Sequence, residues 1–322
     1  MTEPAQVDLV GVGLNASDTL IFLPEFPACG SKVPVRSVTV NPGGQVATAV
    51  IACQRWGLRT RYVGKVGDDQ AARVHAEEFN RAGTEACLTT VPNCSSAQSI
   101  ILIDERGERT VLWGHDLRLT LLPEELDRQC VVNTRALLVD GCDTEAAVRA
   151  AKWARAAGVP VIADLDKAYP GIESLLDDVD YLIVSRDFPG QLLDEPDLRK
   201  SLATLQSRFK CALSAATLGV EGVLAWDGNE FQHVCAYRVP VVDTTGAGDL
   251  FHAGFIYALL QGWGLRRQLA FACAAAALNC TAAGARGRIA AVGEIEDLMA
   301  NGQRHSSSFT PLAPHPGHKK RD

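Results

Sequence analysis

The sequence predicts an α/β protein with a doubly wound, mostly parallel sheet, helices on both faces of that sheet, and a small accessory sheet. After Pro123, short apolar runs alternate with segments of helical periodicity, the pattern of strands joined by crossover helices. Two strand-like runs precede the first helix and a hairpin pattern follows the second helix, so these segments fall outside the alternation. A chain of 322 residues is long enough for one large domain with such an addition.

The N-terminal part supplies the accessory strands. A Pro/Gly-rich turn separates the second and third strand-like runs, and Pro42-Gly43-Gly44 breaks the chain before the first helix. Glu105-Arg106-Gly107-Glu108 is a hairpin signal. The predicted elements, in order, are strands 7–12, 20–22 and 33–40, helix 45–56, strand 62–66, helix 70–81, and hairpin strands 97–104 and 109–113.

The C-terminal part supplies most of the main sheet. Asp227-Gly228-Asn229 predicts a second hairpin, and an apolar run at 237–242 indicates a strand-like approach to the helix that follows it. Residues 304–322 are rich in Ser, Pro, His and Lys, which predicts a disordered tail behind one domain of residues 1–303. The predicted strands are 136–139, 159–163, 181–184, 212–215, 220–226 and 230–237, and the helices are 145–157, 187–193, 197–208, 247–261, 265–283 and 293–301.

Composition and charge exclude several classes of function. The apolar fraction is 47% and the charged fraction 21%, as in ordinary soluble globular proteins. The net charge is −7, and basic residues cluster only in the last few positions, so nucleic acid and anionic membranes are not expected partners. We expect a cytoplasmic protein whose ten cysteines are reduced, since none forms a CxxC pair or has zinc-site spacing with histidine.

The stretch Asp243-Thr244-Thr245-Gly246-Ala247-Gly248-Asp249 carries the strongest chemical signal. It opens a helical segment, where either threonine could cap the first turn and the glycines allow another molecule to approach closely. Bare N–H groups at a helix N-terminus bind anions, and Asp249 places a carboxylate in the same turn. A proton acceptor beside an anion site suggests phosphoryl transfer to a hydroxyl. The alternative is structural: Asp249 only complements the helix dipole, and the glycines only permit tight packing.

Asn15 and Asp18 follow the first predicted strand. Because ligands bind at the carboxyl ends of parallel strands, both residues are candidates for binding hydroxyl groups. The alternative is turn chemistry, which Asn and Asp also favour.

Two separate motifs now resemble the signatures of the ribokinase-like (PfkB) carbohydrate kinases. Residues 41–69, with Gly43-Gly44 and Gly64-Lys65-Val66-Gly67-Asp68-Asp69, are similar to the N-terminal signature, and residues 243–249 to the C-terminal one. They occur in the right order, about 200 residues apart, and the likeness covers roughly residues 7–300. The resemblance implies a transferase that phosphorylates a sugar or related alcohol with ATP and Mg²⁺, and it implies that the accessory sheet is a lid over the sugar.

The resemblance also implies roles for individual residues. Asp249 would accept the hydroxyl proton while the backbone N–H groups of Gly246, Ala247 and Gly248 hold charge on the transferred group. Asp18 and Gly43-Gly44 would meet the sugar, with the glycines as the lid hinge. Thr217, Gly219 and Gly222 would form the nucleotide-binding turn, the stretch from Cys273 to Ala277 would line the adenine, and Asp243 and Thr245 would match a monovalent-cation site, which would be occupied by K⁺.

Three positions depart from the family pattern. Many members carry Asn-x-x-Glu where this chain has Ser185-Arg186-Asp187-Phe188, so Asp187 is the candidate to organise the magnesium waters, beside Ser185 at the nucleotide. Thr48 stands where many members have an asparagine that contacts the sugar, and Gln45 replaces a frequent lysine. These differences suggest a substrate other than ribose.

Within the family the chain is most similar to ketohexose-type kinases, including fructokinase and sulfofructose kinase. Ser99, the run Gly107-Glu108-Arg109-Thr110 and the run Asn279-Cys280-Thr281 carry that likeness. Lys32 and Arg109 are candidates to contact an anionic group on the substrate, but solvated lid charges are the alternative. Since no cluster of basic residues is visible, we expect a neutral sugar.

Two other functions stay open at the level of sequence. One is a nucleoside or vitamin-like alcohol kinase of the same fold, and the other is a non-catalytic regulator that binds sugar or nucleotide. The lid strands carry apolar residues, including Phe22, Val35, Ile101 and Ile103, whose exposed faces would need a partner, either the sugar-bound main domain or the lid of a second chain. Because lids in related kinases pair across a dimer, we expect a homodimer through this sheet.

Overall fold

The computed structural model describes residues 6–114 and 116–306. The thirteen strands of the described residues are numbered along the chain, and four of them, β2, β3, β6 and β7, form a separate small sheet. The main sheet has the other nine strands, in the order β13-β12-β11-β10-β9-β8-β1-β4-β5. All its pairings are parallel except those of β12, which is antiparallel to both of its neighbours. The strands are β1 (Leu9–Val12), β4 (Thr60–Val66), β5 (Glu85–Thr90), β8 (Leu137–Asp140), β9 (Val161–Leu165), β10 (Tyr181–Ser185), β11 (Leu213–Thr217), β12 (Val223–Trp226) and β13 (Phe231–Val234).

Helices cover both faces of this sheet, as predicted. Along β8, Leu137 and Val139 belong to one buried cluster and Leu138 belongs to the other, because successive side chains point to opposite faces. The helices are α1 (Gln45–Arg55), α2 (Gln70–Ala82), α3 (Arg128–Val132), α4 (Thr144–Ala156), α5 (Ile172–Leu176), α6 (Phe188–Leu193), α7 (Leu198–Phe209), α8 (Ala247–Leu260), α9 (Leu265–Asn279) and α10 (Val292–Asn301). Apolar residues of α1, α8, α9 and α10 pack on one face, and those of α4, α5 and α7 on the other.

The four remaining strands form the predicted accessory sheet. They are β2 (Ala16–Phe22), β3 (Ser37–Gly43), β6 (Gln98–Ile103) and β7 (Arg109–Gly114), in the order β3-β2-β6-β7. We call this four-stranded sheet the lid. The register places Asp18 opposite Ser99, and Ser99 opposite Trp113, so these three side chains share one face.

Of the apolar residues predicted to need a partner, Ile101 and Ile103 are buried, whereas Val35 is 53% exposed. Ile101 and Ile103 are buried against Leu20, with Phe22 and Ala283 packed beside them, so this face is covered by the chain itself. The opposite face carries a row formed by Val40, Thr19, Ile100 and Leu112. Val40 is 68% exposed and Leu112 is 53% exposed, so the unpartnered apolar face is this one.

Several predicted boundaries were also wrong. Residues 237–242 do not form a strand: only Tyr237 makes an isolated bridge, and the N–H groups of Val242 and Asp243 both donate to the carbonyl of Cys280. Helix 265–283 ends at Asn279, and Gly284 beyond it adopts a φ of 91°, outside the helical range. The sequence prediction missed β5, whose side chains are only partly buried, and the five-residue α5.

The predicted tail 304–322 begins with an ordered residue, because Arg304 bridges to Tyr237 and donates to the carbonyl of Cys235 at 2.7 Å. From residue 307 on, the predicted tail lies outside the described residues. The predicted buried thiols Cys53, Cys211 and Cys273 are buried and unbridged. Of the helices in the described part of the chain, none has the length and apolar character needed to cross a membrane.

Candidate active site

A pocket of about 220 Å³ lies between the main sheet and the inner face of the lid. Its floor comes from the loops that leave β1, β8 and β9, at the carboxyl ends of these parallel strands. Its walls include Asp18, Ser99, Arg109 and Asp249. The pocket is smaller than the ~300–1,000 Å³ typical of sites for drug-sized ligands, so it suits a ligand as small as one sugar ring.

Helix α8 begins beside this pocket, where the sequence predicted an anion site. Gly246 precedes it with a φ of 77°, and a Cβ there would overlap the backbone of Ala285. The predicted threonine cap was wrong, since no side chain caps this helix. The N–H group of Ala247 donates to the carbonyl of Thr244 at 3.2 Å, whereas the space beside Gly248 is open. The open side of Gly248 is therefore the side where a ligand can reach the helix terminus.

Asp249 is half-buried in the first turn of α8 and lines the pocket. Burial, reinforced by the neighbouring Asp164 carboxylate, raises the pKa of Asp249 to about 8. His252, one turn further, is buried with its ring nitrogens 2.8 Å from the carbonyl oxygen of Gly248 and 3.2 Å from that of Ile183. A carboxylate with a pKa near neutrality can accept a proton efficiently in this pH range.

Asp243 organises the loop that precedes α8. One carboxylate oxygen accepts from the N–H and the hydroxyl of Thr245, at 2.9 and 2.8 Å, and the other accepts from the N–H of Gly284 at 2.7 Å. Asn279 donates to the carbonyl of Thr245 at 2.9 Å. These bonds leave one acceptor position on the Asp243 oxygen that binds Gly284 and one on the Thr245 carbonyl, so a monovalent cation at Asp243 and Thr245 stays a prediction.

Asp18 faces the pocket from the lid and is buried. Burial raises the pKa of Asp18, while the hydrogen bond from the Ser99 hydroxyl and the charge of Arg286 act in the opposite direction. Ser99 thus orients Asp18. A Cβ at Gly43 would overlap the Asp18 carboxylate, so the glycine is required for this close approach.

Asn15 lies on the pocket floor with its amide nitrogen 2.6 Å from the hydroxyl of Tyr62, to which it donates. Gly44 adopts a φ of 92°, and a Cβ there would overlap the backbone around Asn15. Valine at Gly43 or Gly44 would therefore disturb packing as well as any hinge motion. Hydrogen exchange on the unaltered protein is the better probe of the hinge.

The structure does not place Thr48 in the pocket. Thr48 is completely buried in α1, where its hydroxyl accepts from Arg286 at 3.1 Å. The predicted sugar contact at this position was wrong, because the side chain faces the protein interior behind Gly43.

Arg109 connects the lid to the loop before α8. Its guanidinium donates to the hydroxyl of Thr244 at 2.6 Å. At the tip of the same hairpin, a Cβ on Gly107 would lie 3.1 Å from Val241. The lid hairpin therefore rests on residues 241–244 and closes one side of the pocket.

Most residues predicted to bind the nucleotide lie near the ends of β10 and β11, and two lie in α9. Thr217 ends β11, and Gly219 and Gly222 have φ values of 60° and 89° in the turn that follows it. Ser185 donates to the carbonyl of Asp166 at 3.0 Å, and Asp187 is exposed before α6. Arg186 pairs with Glu221 across this turn. Cys273 and Ala277 are buried in α9, where the Cys273 thiol lies 3.8 Å from the carbonyl of Val234.

Sequence reasoning missed several residues of the pocket. Trp113, Asp143, Asp166 and Tyr169 line it, and Lys65 does so while paired with Glu125 at 2.7 Å. For Trp113 a signal existed, since an alternating hairpin register puts it on the same face as Ser99. Lys65 stands in the N-terminal signature, near the end of β4, but Asp143, Asp166 and Tyr169 offered no signal, because they come from the loops after β8 and β9.

The chain matches the model of the pfkB family of carbohydrate kinases over residues 11–290. It is 25% identical over 297 residues to ribokinase of Bacillus subtilis, which covers 90% of this chain and 98% of that protein. It is 26% identical over 266 residues to 5-dehydro-2-deoxygluconokinase of Shouchella clausii, with 76% and 81% covered. The structure of ribokinase from Thermotoga maritima has the same fold, with a TM-score of 0.79, 24% identity, and coverage of 92% of this chain and 100% of that one.

Proposed function

The chain belongs to the pfkB family of carbohydrate kinases, and from this premise we propose that it transfers the γ-phosphoryl group of ATP to a hydroxyl of a neutral ketohexose. The observation that carries the proposal is Asp249 at the uncapped N-terminus of α8, on the wall of the pocket. A base and an anion site side by side supply the two requirements of this reaction.

In the proposed reaction, the oxygen of the sugar hydroxyl attacks the γ-phosphorus of ATP while Asp249 takes the hydroxyl proton. The bond between the γ-phosphorus and the β,γ-bridging oxygen breaks, and ADP leaves. Backbone N–H groups at the start of α8 stabilise the charge on the transferred group, and the open side of Gly248 admits it. Asp18, held by Ser99, and Asn15 orient the sugar from the lid and the floor. Arg109 closes the lid side and adds positive charge near the same helix.

Several residues fit a magnesium-bound nucleotide. Gly219 borders open space at the end of β11, where the backbone can approach phosphates closely. Asp187 is exposed beside this turn and can hold metal-bound water. Within the described residues, no group of three or more His, Cys, Asp or Glu side chains could hold a metal by itself. Mg²⁺ would thus be held mainly by ATP, whose phosphate charge it neutralises.

The charge of the pocket favours a neutral substrate. Asp18, Asp143, Asp166 and Asp249 line it, whereas the ammonium of Lys65 is already paired with Glu125. A sugar carboxylate or phosphate would meet these four acidic side chains, and of the two cations in the described lining only Arg109, which donates to the neutral hydroxyl of Thr244, remains to offset the repulsion. The proposal therefore separates this chain from the gluconate-type activity named for its Shouchella clausii relative.

A thermal-shift screen tests the substrate class. The protein is heated with D-fructose, D-ribose, adenosine or D-gluconate, each with a non-hydrolysable ATP analogue and MgCl₂. We expect D-fructose to raise the melting temperature most and D-gluconate to have no effect, because only a ligand that binds the folded state stabilises it. If adenosine gave the largest rise in melting temperature, the proposed substrate would be a nucleoside and not a sugar. If a sugar raised the melting temperature but no ADP formed with ATP and that sugar, the protein would be a regulator and not a kinase.

We further propose that two copies pair through the outer face of the lid. Val40, Ile100 and Leu112 form an exposed apolar row there, while the inner face is occupied by the pocket. A small sheet with one apolar face uncovered gains stability when a second copy covers that face.

Light scattering tests the dimer. We expect wild-type protein to have twice the mass of one chain and Leu112→Asp to be a monomer, since a carboxylate in the apolar row would be buried without a partner. Val74→Asp, at an exposed valine of α2, is the matched control and should stay dimeric. A wild-type monomer at micromolar concentration would refute the pairing.

A further inference from the structure

Arg286 is a buried cation that neither family signature contains. It follows Ala285 in the loop after α9, and its side chain is only 4% exposed. Long charged side chains are almost never buried this completely without partners.

The partners of Arg286 come from three separate parts of the chain. The guanidinium pairs with Glu78 of α2, whose side chain is 14% exposed. It also donates to the hydroxyl of Thr48 in α1 at 3.1 Å and to the backbone carbonyl of Gly43 at 2.7 Å. Gly43 is the last residue of β3, so this last bond holds the end of a lid strand.

Through its neighbours, Arg286 touches both halves of the active site. On one side Gly43 lies directly against the Asp18 carboxylate, which also feels the charge of Arg286. On the other side the backbone of Ala285 abuts Gly246, the residue before α8. A shift of the guanidinium would therefore move the lid strand relative to the helix that carries Asp249.

Stability alone does not explain such a group. A buried ion pair gains little net free energy over an apolar pair of the same size, because both charges lose their hydration. The other N–H groups of Arg286 donate to the Gly43 carbonyl of the lid and to Thr48 of α1. These bonds fix the position of the end of β3 relative to α1.

We propose that Arg286 is a positioning residue, which fixes Gly43 and with it Asp18 at the distance from α8 that sugar phosphorylation requires. This inference rests on the proposed kinase function, and it adds a residue that acts on the sugar through the hinge of the lid. It implies that Arg286 influences sugar binding more than ATP binding.

Two variants and one control test this role. Arg286→Gln removes the ion pair, and Arg286→Lys keeps the charge but cannot serve three partners in the same geometry. Arg288→Gln is the control, since Arg288 lies in the same loop but is 40% exposed and bonds Thr281 and Glu294. Hydrogen exchange of β3 amides is measured in sugar-free protein, and KM and kcat are measured with D-fructose and with ATP.

We expect Arg286→Gln to speed exchange in Ser37–Gly43 by about tenfold and to raise KM for D-fructose by about tenfold, with KM for ATP within about twofold of wild type. Arg286→Lys should show the same pattern more weakly, and Arg288→Gln should show neither effect. Equal acceleration in β1 and β8 would reveal a general loss of stability and overturn the proposal. So would unchanged exchange in β3. If wild-type protein phosphorylates no sugar, the proposed function fails, but the exchange comparison still decides the role of Arg286.

Discussion

Asp249→Asn is expected to lower kcat by roughly 10²–10⁴-fold, the contribution of a positioned general base. The amide keeps the size of the carboxylate but cannot take the hydroxyl proton. Binding of an ATP analogue should stay within about twofold of wild type, since the nucleotide is expected at the ends of β10 and β11. A kcat within about tenfold of the wild-type value would show that Asp249 is not the general base.

The pH dependence gives an independent check of the same residue. Because burial and Asp164 raise the pKa of Asp249 to about 8, Asp249 is mainly protonated below that pH and would then be unable to accept the hydroxyl proton. We expect kcat/KM of wild type to rise with pH through about 8, with about a tenfold gain per unit on the acid side. The rise of kcat/KM with pH should be absent in Asp249→Asn. It should be retained in Asp297→Asn, at an exposed position of α10.

Stability separates the catalytic role from a structural one. A carboxyl whose pKa is raised in the folded state destabilises that state once the pH exceeds the pKa of the unfolded chain. The neutral amide of Asp249→Asn avoids this cost, so its melting temperature at pH 7–8 should equal or exceed that of wild type. A marked loss of stability would instead support the view that Asp249 only complements the helix dipole.

Asp18→Ala should raise KM for the sugar by roughly 100-fold or more, with KM for ATP little changed. A carboxylate that accepts hydrogen bonds from sugar hydroxyls cannot be replaced by a methyl group, and the hydroxyls would lose their partner in a buried site. Steady-state kinetics with each substrate varied in turn measures the two constants separately.

Ser99→Ala is the matched variant for Asp18→Ala. It removes only the hydrogen bond that orients the carboxylate, so KM for the sugar should rise by about tenfold or less. It should also raise the pKa of Asp18 further, because that bond favours the ionised form.

Equal increases of KM for the sugar and for ATP in Asp18→Ala would point to a folding defect and refute the role of Asp18 in binding the sugar.

The sequence by itself determined the sheet, the layers and the position of the proposed general base. Strand-helix alternation predicted the doubly wound sheet, and α1, α4, α7 and α8 begin within a few residues of the predicted positions. The start of α8 with Asp249 in its first turn was also readable. These features depend on neighbours along the chain, namely on periodicity and on glycine at a turn, and such local preferences act before any distant contact forms.

Only the tertiary structure decided which side chains share the pocket and which support it from behind. Thr48 matches a sugar-binding position of the family it resembles, yet it accepts a hydrogen bond from Arg286, 238 residues away in sequence. Asp243 matches a cation-binding position of the family it resembles, and the fold adds the N–H group of Gly284, 41 residues away in sequence, as a donor to its carboxylate. The physical reason is that strand order and register place distant residues side by side, and a buried polar group takes whichever partner is nearest. Such long-range partners produce no periodic pattern in the sequence.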